Sequence, residues 1–320
     1  MLRSILIYLS KATWARTMVT KWGFSWRAAS RFVAGERQED AIQVIRKLNS
    51  KGIKATLDHL GEHITNPEDA RAATQEIIAM LERIYSTKVI AGVSLKLSQI
   101  GILLNEALCE ENLRKILEKA REYGNFVRID MEDTPFTDTT LSLFRRMRND
   151  GFADTVGIVI QAYLYRSKQD IESLEKEGAR VRLCKGAYKE SAKVAFPKKA
   201  EVDENYDLLV KMMLDAAKER GAIEISPDGR IPPLPAIATH DEKRIDFAKA
   251  YAEKIGLPKK AMEFQMLYGI RRGLQETLAQ EGYPVRVYVP YGTEWYPYFV
   301  RRLAERPANL WFFLSNFFKK

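Results

Sequence analysis

The sequence predicts an α/β protein built as a (β/α)₈ barrel, and three observations support this prediction. From residue 53 onward, short β-branched and apolar runs alternate with longer helical runs rich in Glu, Lys, Leu and Ala. The chain contains eight such β-α units, counting a last helix at 294–305, which is typical of a barrel of parallel strands. A doubly wound sheet is the alternative. No Gly-x-Gly occurs in the sequence, so the dinucleotide fingerprint of that fold is absent.

The predicted elements follow in regular order. The eight candidate strands are 53–58, 92–97, 126–130, 156–162, 180–184, 235–239, 262–267 and 285–289. The helical runs between and after them include 67–85, 106–123, 138–150, 203–220, 241–255 and 294–305. The longest irregular connection, 186–200, is rich in lysine and could cover a ligand.

The composition is that of a folded protein with a basic surface. Apolar residues make up 46% and charged residues 29% of the 320 residues, so the chain can bury a large core. The net charge of +9 admits nucleic acid, a membrane surface or an anionic substrate as partner, but no nucleic-acid-binding motif is present. Cys109 and Cys184 form neither a metal spacing nor a disulfide framework, which favours a reducing cytoplasm.

Both ends of the chain differ in composition from the part between them. Residues 1–35 carry six basic and no acidic residues, interleaved with tryptophan and phenylalanine. This segment fits an amphipathic helix on an anionic membrane, a mitochondrial-type presequence, or a helix pair packed on the main domain. Residues 310–320 are aromatic with a basic tip and are too short to span a bilayer. We therefore expect an N-terminal helical segment 1–35, a barrel 36–309 and a tail 310–320.

Polar residues recur where the predicted strands end, which is where a (β/α)₈ barrel holds its chemistry. They are Asp58, Lys96, Asp130, Gln161, Arg182, Lys185, Thr239, His240, Gln265 and Tyr288. Burying so many polar groups without partners would cost about 1–3 kcal/mol each. We therefore expect them to contact one another or a polar ligand.

The helix predicted at 294–305 has two faces. The polar face carries Tyr298, Arg301, Arg302 and Glu305 at helical spacing, and a separate apolar stripe consists of Trp295, Phe299 and Leu303. Two adjacent guanidinium groups suit a carboxylate or a phosphate, because each presents paired planar donors. The alternative is a solvated basic face with an ion pair from Arg301 to Glu305.

A second alternative concerns the residues after the first strand. His59, Glu62 and His63 fit the H-x-x-E-H pattern of inverted zincins, which makes a zinc-dependent peptidase the alternative function. Such a site needs a helix that holds both histidines and a third ligand farther along the chain. Gly61 weakens that helix and no third ligand is identified, so we expect no metal.

The strand-end motifs, in this order, resemble proline dehydrogenase, a flavoenzyme family that includes one domain of the bifunctional proline utilisation A proteins. The motifs are DHLGE at 58–62, VSLKLS at 93–98, IDME at 129–132, VIQAY at 159–163, VRLCKGAY at 181–188, ATH at 238–240, EFQML at 263–267, and the stretch 288–309. The likeness covers about residues 36–309. It resembles the monofunctional form, because no room remains for an aldehyde dehydrogenase domain.

The resemblance implies a distorted, TIM-like barrel that binds FAD, and it assigns roles to individual residues. Arg301 and Arg302 bind the proline carboxylate. The substrate pocket is lined by Lys96, Asp130, Tyr288 and Tyr298, with Tyr188 and Leu267 packed around the ring. The positions near the flavin are Met131, Gln161, Arg182, Lys185, Gly186, Ala187, Thr239, His240 and Glu305. Glu62 matches a carboxylate that pairs with the first arginine and gates the site.

The resemblance also implies the reaction, which is oxidation of L-proline to Δ1-pyrroline-5-carboxylate with electrons passed to a membrane quinone. Asp130 and Arg182 are the catalytic candidates, and Arg182 is placed to stabilise the reduced, anionic flavin. Asp130, Lys96 and water all stay open as acceptors of the proline proton. Because the acceptor is lipid-soluble, we expect a cytoplasmic protein with peripheral contact to the inner face of the cell membrane.

Overall fold

Eight parallel strands close into a barrel in the computed structural model, which describes residues 23–61, 64–188 and 190–305. The strands are β1 Lys54–His59, β2 Ala91–Leu95, β3 Val127–Ile129, β4 Val156–Gln161, β5 Val181–Cys184, β6 Pro235–Ala238, β7 Glu263–Leu267 and β8 Val285–Tyr291. Each pairs with the next in the chain, and β8 pairs with β1. The predicted fold class is confirmed, with every strand boundary within two residues of its predicted position.

Ten α-helices lie in the described ranges. They are α1 Gly23–Ala29, α2 Gln38–Asn49, α3 Pro67–Thr87, α4 Glu106–Glu122, α5 Thr137–Met147, α6 Ser167–Lys176, α7 Lys199–Glu219, α8 Glu242–Ile255, α9 Arg272–Gln280 and α10 Trp295–Glu305. Helices α6 and α9 follow β4 and β7 and complete units for which the sequence analysis gave no helix bounds. Helix α2 lies before β1 and is an addition, and α7 begins four residues before its predicted start. None of these helices is both long and apolar enough to cross a bilayer.

The two faces of each strand differ in chemistry. Outward residues such as Leu57, Val93 and Ile129 are buried in the large apolar cluster between the barrel and its helices. The alternate, inward residues are largely polar: Thr56, Asp58, Ser94, Lys96, Arg128, Asp130, Arg182, Glu263, Gln265, Arg286 and Tyr288. Branched apolar side chains fill the interior of a typical barrel. In this barrel the interior is a polar network that leads to the carboxyl ends of the strands.

The last helix lies over the mouth of the barrel. Helix α2 packs against β1 and β8 on the outside of the barrel, where the last helix of a regular barrel would pack. Helix α10 instead packs against α1, with Trp295, Phe299 and Leu303 in a small apolar cluster that includes Leu60 and Ile270. The predicted apolar stripe is confirmed. This packing turns Tyr298, Arg301 and Arg302 toward the strand ends.

Glu175 on α6 is a buried carboxyl group, and it makes stability depend on pH. Its side chain is 7% exposed, and neither carboxylate oxygen has a hydrogen-bond partner in the described part of the chain. Burial raises the pKa of Glu175 to about 8. An unfolded glutamate has a pKa of about 4.3, so between these values only the folded state holds the proton. The folded state therefore loses stability as pH rises from about 4.3 to 8.

We predict that Glu175→Gln stabilises the protein more at pH 8 than at pH 5. The difference should reach about 1–3 kcal/mol, because one pKa unit corresponds to about 1.4 kcal/mol and solvent relaxation reduces the full effect. Thermal or urea unfolding at both pH values measures it. The matched control is Glu172→Gln, at an exposed position of the same helix. Equal gains at the two pH values would contradict the prediction.

Candidate active site

A cavity of about 600 Å³ opens at the carboxyl ends of the strands. Its walls contain all of the predicted site residues whose side chains are described: Lys96, Asp130, Met131, Gln161, Arg182, Lys185, Gly186, Ala187, Tyr188, Thr239, His240, Leu267, Tyr288, Tyr298, Arg301 and Arg302. Glu62 and the side chain of Glu305 lie outside the described part of the structure. The strand-end pattern and the polar face of α10 thus meet in one place.

Several lining residues had no predicted role. They are Val159, Cys184, Ala238, Asp241 and Met266. Gln265 also lines the cavity; it was predicted as a strand-end residue but was assigned no role. Strand periodicity could have found Val159, because it lies two residues before Gln161 on β4 and so faces the same side. Burial raises the pKa of the Cys184 thiol to about 12, so this cysteine stays protonated.

An ion pair between Asp130 and Arg182 lies at the base of the cavity. Arg182 Nη1 donates to Asp130 Oδ1 at 2.8 Å, and Ser94 Oγ donates to the same oxygen at 2.9 Å. The Tyr288 hydroxyl donates to Asp130 Oδ2 at 2.8 Å. These residues come from β2, β5 and β8 and from the end of β3, and they meet because each faces the barrel interior. Both oxygens of Asp130 therefore accept hydrogen bonds from the protein.

Tyr288 is held as a neutral donor. Burial raises the pKa of its hydroxyl well above the usual value, and the negative charge of Asp130 acts in the same direction. The guanidinium carbon of Arg182 lies 5.5 Å from the centre of the Tyr288 ring. The ring is thus fixed from two sides, by the hydrogen bond to Asp130 and by the cation over its face.

Lys185 is held in the cavity wall by two aspartates. Its Nζ lies 2.5 Å from Asp203 Oδ1 and 2.8 Å from Asp241 Oδ2. Asp241 also caps α8 by accepting from the backbone of Lys243, so the helix start and the lysine share one carboxylate. Asp203 lies on α7, and its pairing with Lys185 was not predicted.

His240 and Thr239 are fixed by local hydrogen bonds. The backbone N–H of Leu267 donates to His240 Nε2 at 2.9 Å, which assigns the remaining proton of a neutral ring to Nδ1. The backbone N–H of Asp241 donates to Thr239 Oγ1 at 3.1 Å. Both contacts orient side chains that line the cavity.

On α10, Arg302 is 8% exposed, and its guanidinium carbon lies 5.0 Å from the centre of the Tyr298 ring. Arg301 is half-buried beside it, and all three side chains face the cavity. A solvated basic face is therefore the wrong interpretation for Arg302. The proposed ion pair from Arg301 to Glu305 lies outside the described residues.

The connection predicted to cover a ligand, 186–200, is tied to the loops that follow β3 and β4. Gly186, at its start, has a φ of +112°, and a Cβ there would lie 2.3 Å from the Tyr163 ring. Farther along, the backbone of Phe196 donates to Tyr163 O at 2.8 Å. Glu190 accepts from the backbone and the hydroxyl of Thr134 at 2.9 and 2.7 Å. The connection is thus attached on both sides of Tyr163.

Comparison with known proteins decides between the candidate families. The family model described as proline dehydrogenase matches residues 41–314. The chain belongs to the proline dehydrogenase family. Proline dehydrogenase 2 of Bacillus subtilis strain 168 is 42% identical over 318 residues, covering 99% of each chain. The proline dehydrogenase of Deinococcus radiodurans is 44% identical over 297 residues, covering 92% of this chain and 91% of its own.

Membership of the proline dehydrogenase family agrees with the solved structures. The crystal structure of proline utilization A from Bdellovibrio bacteriovorus inactivated by N-propargylglycine is 28% identical and superposes with a TM-score of 0.78. The match covers 88% of this chain and 33% of that one, so the chain spans about a third of that larger protein. The predictions of this family and of an oxidoreductase are confirmed.

The zinc peptidase alternative finds no support in these comparisons. His63 and Glu62 lie outside the described residues. His59 packs against Tyr291, with 5.1 Å between ring centres, and burial lowers the pKa of His59. Within the described ranges, no group of three or more His, Cys, Asp or Glu side chains is arranged to hold a metal.

We predict that Gly186→Ala is more destabilising than Gly221→Ala. Both glycines have positive φ, but a Cβ at Gly221 would meet nothing within 4 Å, whereas at Gly186 it would overlap the Tyr163 ring. Overpacking of this kind costs about 1–3 kcal/mol beyond the backbone strain that both variants share. Urea unfolding of the two variants measures the difference. Equal losses would show that the ring moves away freely.

Proposed function

We propose that the chain oxidises L-proline to Δ1-pyrroline-5-carboxylate with FAD as cofactor, and that the electrons pass to a membrane quinone. The observation that carries the proposal is the cavity itself. It combines an arginine pair on α10 with the Asp130–Arg182–Tyr288 network at the base, in a chain of the proline dehydrogenase family. The arginine pair suits a carboxylate. The network holds the Tyr288 ring and the Arg182 cation in place beside it.

The cavity has the size of an ordinary ligand pocket, and its lining suits a flavin nucleotide. Its volume of about 600 Å³ lies within the usual range of ligand pockets, about 300–1,000 Å³. Apolar side chains suited to a flat ring lie beside cations suited to anionic groups: Met131, Val159, Met266 and Leu267 on one hand, and Arg182 and Lys185 on the other. When bound, FAD supplies the acceptor for the hydride that leaves the ring carbon beside the proline nitrogen.

In this proposal the arginine pair orients the substrate. Arg301 and Arg302 bind the carboxylate of proline through charge-assisted hydrogen bonds. Tyr288, Tyr298 and Leu267 form the walls around the pyrrolidine ring and exclude water from it. Because the Tyr288 hydroxyl is hydrogen-bonded to Asp130, the Tyr288 ring keeps a fixed position in the wall of the pocket.

The proline nitrogen must lose a proton before or during hydride loss. Asp130 is poorly suited to accept it, since Arg182, Ser94 and Tyr288 already donate to its oxygens. Accepting a proton would break or reverse one of these hydrogen bonds. Lys96, whose Nζ lies 3.6 Å from Asp58 Oδ1, and water are the other two candidates.

The purified protein tests the proposed function. We expect visible absorption bands of oxidised flavin, release of FAD on denaturation, and proline-dependent reduction of a quinone analogue. A colourless protein that acquires no flavin band when incubated with FAD would contradict the proposal that FAD is the cofactor. Reduction of artificial dyes but of no quinone would contradict the proposed quinone acceptor and leave the other parts of the proposal standing.

We predict that Arg301→Lys and Arg302→Lys each raise KM for proline more than they reduce flavin content. Lysine keeps the charge but loses the planar fork, and a charge-assisted hydrogen bond is worth roughly 1.5–3 kcal/mol, or about tenfold or more in KM. Steady-state kinetics normalised to flavin content measure the effect. Arg272→Lys, at an exposed position outside the cavity, is the control. Wild-type KM values in both variants would show that the two arginines do not bind the carboxylate of proline.

We predict that Tyr288→Ser loses discrimination against 4-hydroxyproline. The smaller side chain leaves space for the extra hydroxyl group, and the contacts that favour proline are lost. Tyr288→Phe keeps the wall and removes only the hydrogen bond to Asp130, so it should retain the discrimination. The ratio of kcat/KM for the two substrates decides, and an unchanged ratio in Tyr288→Ser would show that another residue selects.

Peripheral membrane contact and the three-part division of the chain are also proposals. They are based on the composition of 1–35 and 310–320, and residues 1–22 and 306–320 lie outside the described ranges. We predict salt-sensitive flotation with anionic but not neutral liposomes. Comparing the full chain with a form that lacks 310–320 separates the two ends. No flotation with anionic vesicles at low salt would contradict membrane contact.

A further inference from the structure

A chain of hydrogen bonds continues from Arg182 down into the barrel. Arg182 Nε donates to Gln265 Oε1 at 2.5 Å, and Gln265 Nε2 donates to Glu263 Oε1 at 2.6 Å. Arg286 Nε donates to both oxygens of Glu263 at 2.9 and 3.1 Å. Arg286 Nη1 then donates to the backbone oxygen of Ala55 at 3.0 Å. The cavity is thereby connected to the start of β1 through two arginines, a neutral amide and a carboxylate.

The members of this chain are buried deeply enough that each needs its partner. Glu263 is 0% exposed, Arg286 is 3% exposed, and Gln265 and Arg182 are each 6% exposed. Buried charges are costly unless they are paired, and apolar side chains of similar volume often fill such a space at no loss of stability. Packing alone therefore does not explain why these buried side chains are polar. Their contact with Arg182, which lines the cavity, does explain it.

Gln265 is the member whose chemistry is most restricted. Arginine only donates and an ionised glutamate only accepts, so the residue between them must accept on one side and donate on the other. A primary amide does both without carrying charge. Glu263 is paired with Arg286. Among the described residues, the carboxylate that forms an ion pair with Arg182 is that of Asp130.

We propose that Gln265 is a positioning residue for Arg182. By accepting from Nε, it fixes the plane of the guanidinium group, while Glu263 and Arg286 fix Gln265. As a neutral spacer, it also leaves the positive charge of Arg182 available to the cavity, where negative charge develops on the reduced cofactor. This second consequence rests on the proposed function, whereas the positioning contact does not.

A double-mutant cycle tests the contact without any cofactor. Gln265→Met, Arg182→Met and the double variant are unfolded in urea as purified full chains, with Arg182→Lys in place of Arg182→Met where the latter does not fold. We expect the unfolding constants to be non-additive by at least about fivefold, because the second substitution removes a partner already lost. Additive effects would overturn the proposal.

Gln275→Met is the matched control for the loss of a buried amide. Gln275 is 2% exposed on α9 and donates to the backbone oxygens of Leu267 and Ile270, with no contact to Arg182. Its effect should add to that of Arg182→Met. Coupling as large as that of Gln265 would mean that the cycle reports general softening of the barrel, and would overturn the proposal.

The flavin midpoint potential tests the electrostatic consequence. Gln265→Glu combined with Glu263→Gln exchanges the amide and the carboxylate, which gives Arg182 a second carboxylate without placing two carboxylates in contact. We therefore expect reduced flavin to bind at least about tenfold more weakly relative to oxidised flavin in this exchange variant. For a two-electron couple this lowers the potential by about 30 mV, and Gln265→Met should fall between this variant and wild type. Wild-type potentials in the folded, flavin-containing exchange variant would overturn the role of Gln265 as a neutral spacer. A wild-type protein that binds no flavin would overturn the proposed function instead, and the stability cycle alone would then decide the role of Gln265.

Discussion

The ion pair between Asp130 and Arg182 inside the barrel is the interaction on which the site depends. The two side chains come from the end of β3 and from β5, which are not adjacent, and they meet across the interior at 2.8 Å. In a buried, low-dielectric setting neither charge is stable without the other, and removing one partner leaves the second uncompensated. Ser94 and Tyr288 donate to the oxygens of Asp130, and Gln265 accepts from Nε of Arg182. Together they give the cavity a rigid base.

Helix α10 depends on a second constraint, the occupation of the outer wall by α2. Because α2 covers β8 and β1 from outside, the last helix packs on α1 and lies over the strand ends. Its apolar stripe is buried in that contact, so its polar stripe must face the cavity. The arginine pair on α10 thereby faces a base built from strand residues and from Asp130 directly after β3, and the space for a ligand lies between them.

The sequence predicted most of the fold because it contains a simple periodicity. Eight alternating units give a barrel, and the polar strand ends converge because the carboxyl ends of parallel strands lie at one edge. The roles of Met131, Gly186 and Thr239 came from family resemblance alone, since nothing in their local pattern indicates a flavin. The pairing of Lys185 with Asp203 could not be read from the sequence, because it depends on how α7 packs beside β5. The position of α10 over the mouth depends in the same way on α2, and helical periodicity carries no information about it.

We propose that one cavity holds proline by its carboxylate and that a flavin bound there takes up its electrons. Anaerobic mixing of the purified protein with L-proline, and separately with pyrrolidine, tests this most directly. Pyrrolidine has the same ring and nitrogen but no carboxylate. We predict that L-proline bleaches the flavin absorption. Pyrrolidine at equal concentration should bleach it at least about a hundredfold more slowly, because two charge-assisted hydrogen bonds of roughly 1.5–3 kcal/mol each are lost. Equal rates for the two compounds, or a flavin band that L-proline leaves unchanged, would contradict the claim.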